Sequence, residues 1–153
     1  MIAAIYVAIT LMLAPISYMG IQFRISEVLV LLAYFDPFYV VGLTLGCFIA
    51  NMLGPNGMVD VIFGTLATFI SVSMIAVTAK KFKNNQKGMF IASLWPVIVN
   101  GLIIGWELNS FFGLPLVLSM IQVAFGEFVV ISILGVIVFN TLGSKIKIIN
   151  RYL

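Results

Sequence analysis

Residues 58–108 read MVDVIFGTLATFISVSMIAVTA (58–79), KKFKNNQK (80–87) and GMFIASLWPVIVNGLIIGWEL (88–108). Two apolar runs, each close to the ~20 residues a helix needs to cross a bilayer, flank a loop that holds four lysines. That pattern is a membrane hairpin with its basic turn on the cytoplasmic side. Working outward, Met1–Ala14 forms a first span that Pro15 ends or kinks, and Ile16–Phe23 follows as a loop. Ile25–Phe35 is a short second span, closed by an Asp36-Pro37 turn. Phe38–Leu53 is the third, followed by the turn Gly54-Pro55-Asn56-Gly57. Met58–Ala79 and Gly88–Leu108 are the fourth and fifth, and Asn109–Pro115 is a turn. Leu114–Leu142 is the sixth, with Gly143 suited to a helix C-terminus. The expectation is an all-α integral membrane protein, a bundle of six transmembrane helices forming a single domain over residues 1–153.

Composition agrees. Hydrophobic residues make up 63% of the chain, against about 45–50% in soluble domains, and mean hydropathy is +1.22. Seven of the eight basic residues fall in two clusters, Lys80–Lys87 and Lys145–Arg151. With six spans both clusters and both termini face the cytoplasm, in the plasma membrane. Positive-inside bias and anionic lipid account for the net charge of +3, which therefore does not indicate nucleic acid. There is no histidine and one cysteine, Cys47, which reads as packing. No intrachain disulfide can form, and a zinc or haem site is not expected. No nucleophile–base pair and no phosphate-cradling loop at motif spacing point to an enzyme, and no cofactor is implied. Met1–Ala14 lacks a basic leader and reads as the first span of the mature protein, with a short polar stretch expected ahead of it.

The remaining charges sit inside apolar segments, where each needs a partner or a function. On this topology Arg24, Glu27, Asn51, Asp60, Asn100, Glu107, Gln122 and Glu127 all fall near the outer level of their spans. Four carboxylates against one guanidinium suit a ligand with several N–H donors and a positive charge. Arg24 and Glu27, three apart, share a helix face and either pair with each other or present a donor fork beside an acceptor. Asp60 serves either as a helix cap or as a ligand contact, and Glu107 either as an interfacial loop residue or as a contact. Phe23, Trp95 and Trp106 are the candidate stacking rings, with an interfacial belt as the other reading of Trp106. Gly42, Gly46 and Ala50, and likewise Gly101 and Gly105, repeat every four residues and suit close packing within the bundle. Ala4 and Ala8 form a similar pair, which also suits a docking face for another membrane subunit.

The runs Ile21-Gln22-Phe23-Arg24-Ile25-Ser26-Glu27, Gly46-Cys47-Phe48-Ile49-Ala50-Asn51, Asp60–Thr68, Pro96-Val97-Ile98-Val99-Asn100 and Gly126-Glu127 resemble the QueT family, across nearly the whole chain. That resemblance implies a bundle of the S-component type found in energy-coupling-factor (ECF) vitamin transporters. It implies capture of a queuosine precursor, a deazaguanine base in plain or aminomethyl form. It implies docking on one transmembrane coupling subunit and two ATPases, through a small-residue face that here would be Ala3, Ala4 and Ala8. The outer loops, with Gly54 and Gly57 as hinges, would close over the ligand. The alternatives are a stand-alone ion-coupled carrier, an S component for another cationic or donor-rich heterocyclic vitamin, a membrane-embedded enzyme, and a purely structural membrane protein.

Overall fold

The computed structural model describes residues 1–18, 23–82 and 85–141. The chain runs through α1 (Ile2–Met12), α2 (Ala14–Ser17), α3 (Ile25–Phe35), α4 (Tyr39–Met52), α5 (Gly57–Phe82), α6 (Gln86–Phe112) and α7 (Leu116–Thr141). Three of these helices, α5, α6 and α7, are long and apolar enough to cross a membrane. The other three apolar segments have 10–17 residues, so among the described residues three full-length spans and three shorter apolar helices are found.

The long helices explain themselves. At ~1.5 Å per residue, the 26 residues of α5 and 27 of α6 reach about 40 Å, more than the ~30 Å hydrocarbon core. The loop expected at Lys80–Lys87 is shorter than its polarity suggested. Lys80 and Lys81 extend α5, and α6 starts at Gln86 behind Asn85, whose side chain accepts from the Gly88 N–H at 2.6 Å. Tyr34 Oη donates to the Asn85 carbonyl at 2.8 Å and ties α3 to this turn. At the far end α6 continues to Phe112, past the expected stop at Leu108. Gly113, at φ 70°, closes it: its N–H reaches Asn109 O, and the Leu114 N–H reaches Leu108 O.

The short segments compensate by local geometry. α1 breaks at Leu13, and Pro15 lies inside the following turn α2, where its missing N–H is no loss. Ile16 and Ser17, expected as loop, are helical. α3 begins as a 3₁₀-helix over Ile25–Leu31 and becomes α-helical over Leu32–Phe35. A 3₁₀ run rises ~2.0 Å per residue, so these eleven residues cover about 20 Å, further than an α-helix of the same length. In α7 the winding loosens the other way: Phe128–Gly135 is π-helical, starting one residue after Glu127. Five residues along an α-helix turn ~500°, which would place Glu127 and Ser132 on different faces. Wound as a π-helix they face the same way, and Glu127 meets Asn100 while Ser132 meets Ser93, both on α6.

Small residues seat the helices against each other, as their spacing predicts. A Cβ on Gly46 would meet Tyr6 and the Ala3 backbone, so this glycine lets α1 lie on α4. Gly101 faces Ala124, and Gly105 faces the backbone of Met120, joining α6 to α7. Ala3 therefore belongs to the α1–α4 seam, whereas Ala4 and Ala8 point outward. The main core gathers Tyr6, Val30, Leu31, Tyr34, Leu43, Val72, Ile75 and Ile131. About half of each long apolar window faces outward, with Ile62, Leu66, Phe69, Leu102, Ile121 and Phe125 exposed. An apolar surface of that extent belongs in lipid.

Gly105→Val should drive a side chain into Met120 and lower thermal stability in detergent by an overpacking cost of about 1–3 kcal/mol. Leu102→Val, on the outward face of the same helix, should leave the melting temperature nearly unchanged. Equal melting temperatures for the two variants would contradict this packing.

Candidate ligand-binding site

Among the described residues, apart from Asp36 at the turn before α4, the charged side chains divide into two sets. Lys80, Lys81 and Lys87 are exposed at the α5–α6 turn. Arg24, Glu27, Asp60, Glu107 and Glu127 are all buried. Asp60 lies twenty residues from Lys80 along α5, about 30 Å, so the two sets sit at opposite ends of the bundle. The basic cluster Lys145–Arg151, like Leu142 and Gly143, lies outside the described residues, as does Lys83.

Arg24 precedes the first turn of α3 with its side chain turned inward. Its Nη2 donates to Asp60 Oδ2 at 2.9 Å, a buried ion pair, and its Nε donates to the Ser17 carbonyl at 3.4 Å. The Tyr18 ring lies 5.2 Å from the guanidinium carbon, and Tyr18 Oη donates to the Ala50 carbonyl. Asp60 thus anchors Arg24, and among the described residues it accepts no backbone N–H as a cap would. The Arg24–Glu27 pair that their spacing allowed does not form. Asn51, at the end of α4, donates through Nδ2 to the Asp60 carbonyl at 2.9 Å and to Cys47 Sγ at 3.4 Å. Thr68 Oγ1 also donates to that sulfur. Cys47, read from the sequence as packing, is therefore a polar junction beneath Arg24.

A second group lies deeper. Glu27 accepts a short hydrogen bond from Tyr6 Oη, and Ser26 meets Thr10 at 2.6 Å, so α1 and α3 are stitched by polar contacts. Glu127 Oε1 accepts from Asn100 Nδ2 at 2.8 Å across α6 and α7. Glu127 lies within electrostatic reach of Glu27 and Arg24, and Glu107 within reach of Asp60 and Arg24. Glu107 makes no hydrogen bond among the described residues, although it is only 1% exposed. The polar groups thus occupy two levels rather than the single one expected. Asn100 and Glu107, seven residues apart on α6, set the levels about 10 Å from each other.

Four further expectations meet a different arrangement. Trp106 is 43% exposed and packs edge-on against Phe63 and Phe111, an aromatic cluster on the lipid-facing side rather than a stacking platform. Trp95 donates to Thr78, eighteen residues beyond Asp60 along α5, and so lies in the other half of the bundle. Phe23 is half-buried against the main core. Gln122 is half-buried and joins the cluster through no hydrogen bond among the described residues. The rings that do meet the cluster are Tyr6 and Tyr18. Tyr6 was hidden in the sequence because one tyrosine in an apolar run carries no spacing signal.

What the cluster can do follows from its unpartnered atoms. Glu27 Oε2, Asp60 Oδ1, Glu107 Oε2, Glu127 Oε2 and Asn51 Oδ1 are buried with no hydrogen-bond partner among the described residues. Native interiors satisfy roughly 90% or more of such atoms, and each orphan costs about 1–3 kcal/mol. All five are acceptors. The site therefore matches a ligand rich in N–H groups, and four carboxyl groups facing one guanidinium favour a cation.

Arg24→Met should strand Asp60 without a partner and destabilise the protein by about 3–5 kcal/mol in thermal unfolding in detergent. Adding Asp60→Asn should recover a substantial part of that loss. Unfolding that is unchanged in the single variant would show that the pair does not tie α3 to α5.

The sequence model of the QueT transporter family matches residues 1–144. The chain is 32% identical over 156 aligned residues to the queuosine precursor transporter QueT of Lactococcus lactis subsp. cremoris (strain MG1363), covering 96% of this chain and 90% of that protein. No solved structure matches the chain. With apolar helices able to cross a membrane and a family match over nearly its full length, the chain is a membrane transporter rather than an enzyme, and it belongs to the QueT transporter family.

Proposed function

We propose that this protein is the substrate-capture S subunit of an ATP-driven ECF importer and that it binds a queuosine precursor, a deazaguanine base, from outside the cell. The observation that carries this reading is the buried cluster of unpartnered carboxyl oxygens around Arg24. A deazaguanine offers N–H donors along one edge for carboxyl groups and a carbonyl for a guanidinium. The name of the Lactococcus relative supports the same ligand class. Glu27 and Glu127 read the donor edge, Arg24 serves the carbonyl, and Asn51 and Asn100 complete the hydrogen bonds. The aromatic rings that flank this cluster are Tyr6 and Tyr18. Charge-assisted hydrogen bonds contribute about 1.5–3 kcal/mol each, so three or four are enough for nanomolar capture after ordering costs.

The exposed lysines at the α5–α6 turn support an orientation with that turn and both termini in the cytoplasm and the ligand site toward the outside. Tyr18, at the end of α2, lies against Gly54 and over Arg24, so it covers the site between α2 and the turn after α4. No ATP-binding motif occurs in the sequence, and in this reading the energy comes from partner ATPases through a coupling subunit. The exposed Ala4 and Ala8 suit its docking, with Ala3 behind them in the α1–α4 seam. The neighbouring carboxyl groups of Glu27 and Glu127 also fit a stand-alone carrier driven by an ion gradient. Uptake that persists in cells lacking the ATPase subunits would select that second reading.

Titration calorimetry of the purified protein with 7-deazaguanine tests the site. Glu27→Gln and Glu127→Gln should each weaken binding by about tenfold or more. Affinity that stays at the wild-type value in both variants would remove these residues from the site.

A further inference from the structure

Resting on the ligand class just proposed, the two-level arrangement assigns a separate task to Glu107. At the deeper level, Glu27 and Glu127 are each held through one oxygen by a neutral donor, Tyr6 or Asn100, and each leaves its second oxygen unpartnered. Acceptor oxygens of this kind suit the N–H edge of an uncharged heterocycle. The upper level is different. Arg24 is engaged by Asp60, and that pair is neutral in sum. Glu107 then stands beside them as a buried carboxyl, with neither a hydrogen-bond donor nor a cation bound to it among the described residues. A buried carboxylate without a counter-charge is costly, and a ligand cation is the economical remedy.

We infer that Glu107 is an ammonium subsite, specific for a ligand that carries a donor edge at one end and a protonated amine on a short arm at the other. The ligand lies along the bundle axis, its heterocycle edge down at Glu27 and Glu127 and its amine up at Glu107, across the two turns of α6 from Asn100 to Glu107. The arm, rather than the ring, is then what this residue reads. Asp60 differs from Glu107 in already facing a cation, because its Oδ2 accepts from Arg24.

Calorimetry on the full chain in detergent, with three probes, separates this from the broader reading. The probes are 7-aminomethyl-7-deazaguanine, its uncharged 7-hydroxymethyl counterpart, and 7-deazaguanine with no arm. The wild-type protein should bind the aminomethyl probe at least about tenfold more tightly than the hydroxymethyl probe, as a buried charge-assisted contact implies. Glu107→Gln should abolish that preference and hold 7-deazaguanine within about twofold of the wild-type affinity, which also reports that the variant is folded. Glu127→Gln should weaken all three probes together. Wild-type protein that binds the charged and uncharged arms equally overturns the subsite without recourse to any variant. So does a Glu107→Gln protein that keeps the preference, or one that loses all three probes in equal measure. If the wild type binds none of the probes, the ligand class itself is wrong and the subsite falls with it.

Discussion

The ion pair between Arg24 and Asp60 is the contact on which the shorter half of this bundle depends. Its helices are too short to be placed by membrane thickness alone. α3 enters from a loop, runs eleven residues and turns back, and only its 3₁₀ winding carries it to useful depth. Arg24 at its head reaches across to the first turn of α5, whose 26 residues are fixed by the bilayer. Asn51 makes the same connection from α4, donating to the Asp60 carbonyl, and α1 is tied to α3 in turn by Tyr6 and Glu27. Short segments are thus pinned to long ones by polar contacts. Desolvation makes each such contact expensive to form, and a lost partner makes it more expensive to break.

That economy leaves a remainder. A scaffold built for stability alone would satisfy its acceptors or replace them with apolar side chains of equal volume. Here every one of the buried carboxyl groups retains an oxygen with no partner among the described residues. The unpartnered carboxyl oxygens lie around Arg24 and between α6 and α7, in contrast with the closely seated glycines at Gly46, Gly101 and Gly105. The glycine seams and the polar pins hold the bundle together, while the second oxygen of each of these carboxyl groups takes part in neither.

Much of this was legible in the sequence because hydrocarbon tolerates so few alternatives. The existence of α5 and α6 follows from their apolar runs, although their ends run up to four residues beyond the expected bounds, and the buried set Arg24, Glu27, Asp60, Glu107 and Glu127 follows from the cost of charge at membrane depth. Pairing was not legible. Arg24 and Glu27 are three apart, but the segment starts as a 3₁₀-helix and Arg24 stands outside it with extended backbone, so proximity in sequence misled. The partner, thirty-six residues away, needed the fold. Trp95 and Trp106 carried the right chemistry for stacking but stand on the wrong half and the wrong face of α6. Cys47 looked like filler because its neighbours in the chain are apolar, whereas its neighbours in space are an arginine, an asparagine and a threonine.

The loosened stretch of α7 has a consequence for how related chains are compared. Because Phe128–Gly135 winds as a π-helix, Glu127 and Ser132 both address α6 although five positions separate them. A homologue shorter by one residue here would revert to ordinary winding, and its glutamate and serine would part company around the axis. An alignment gap inside this apolar stretch, which hydropathy alone would accept without penalty, is therefore a statement about whether the proposed substrate site survives.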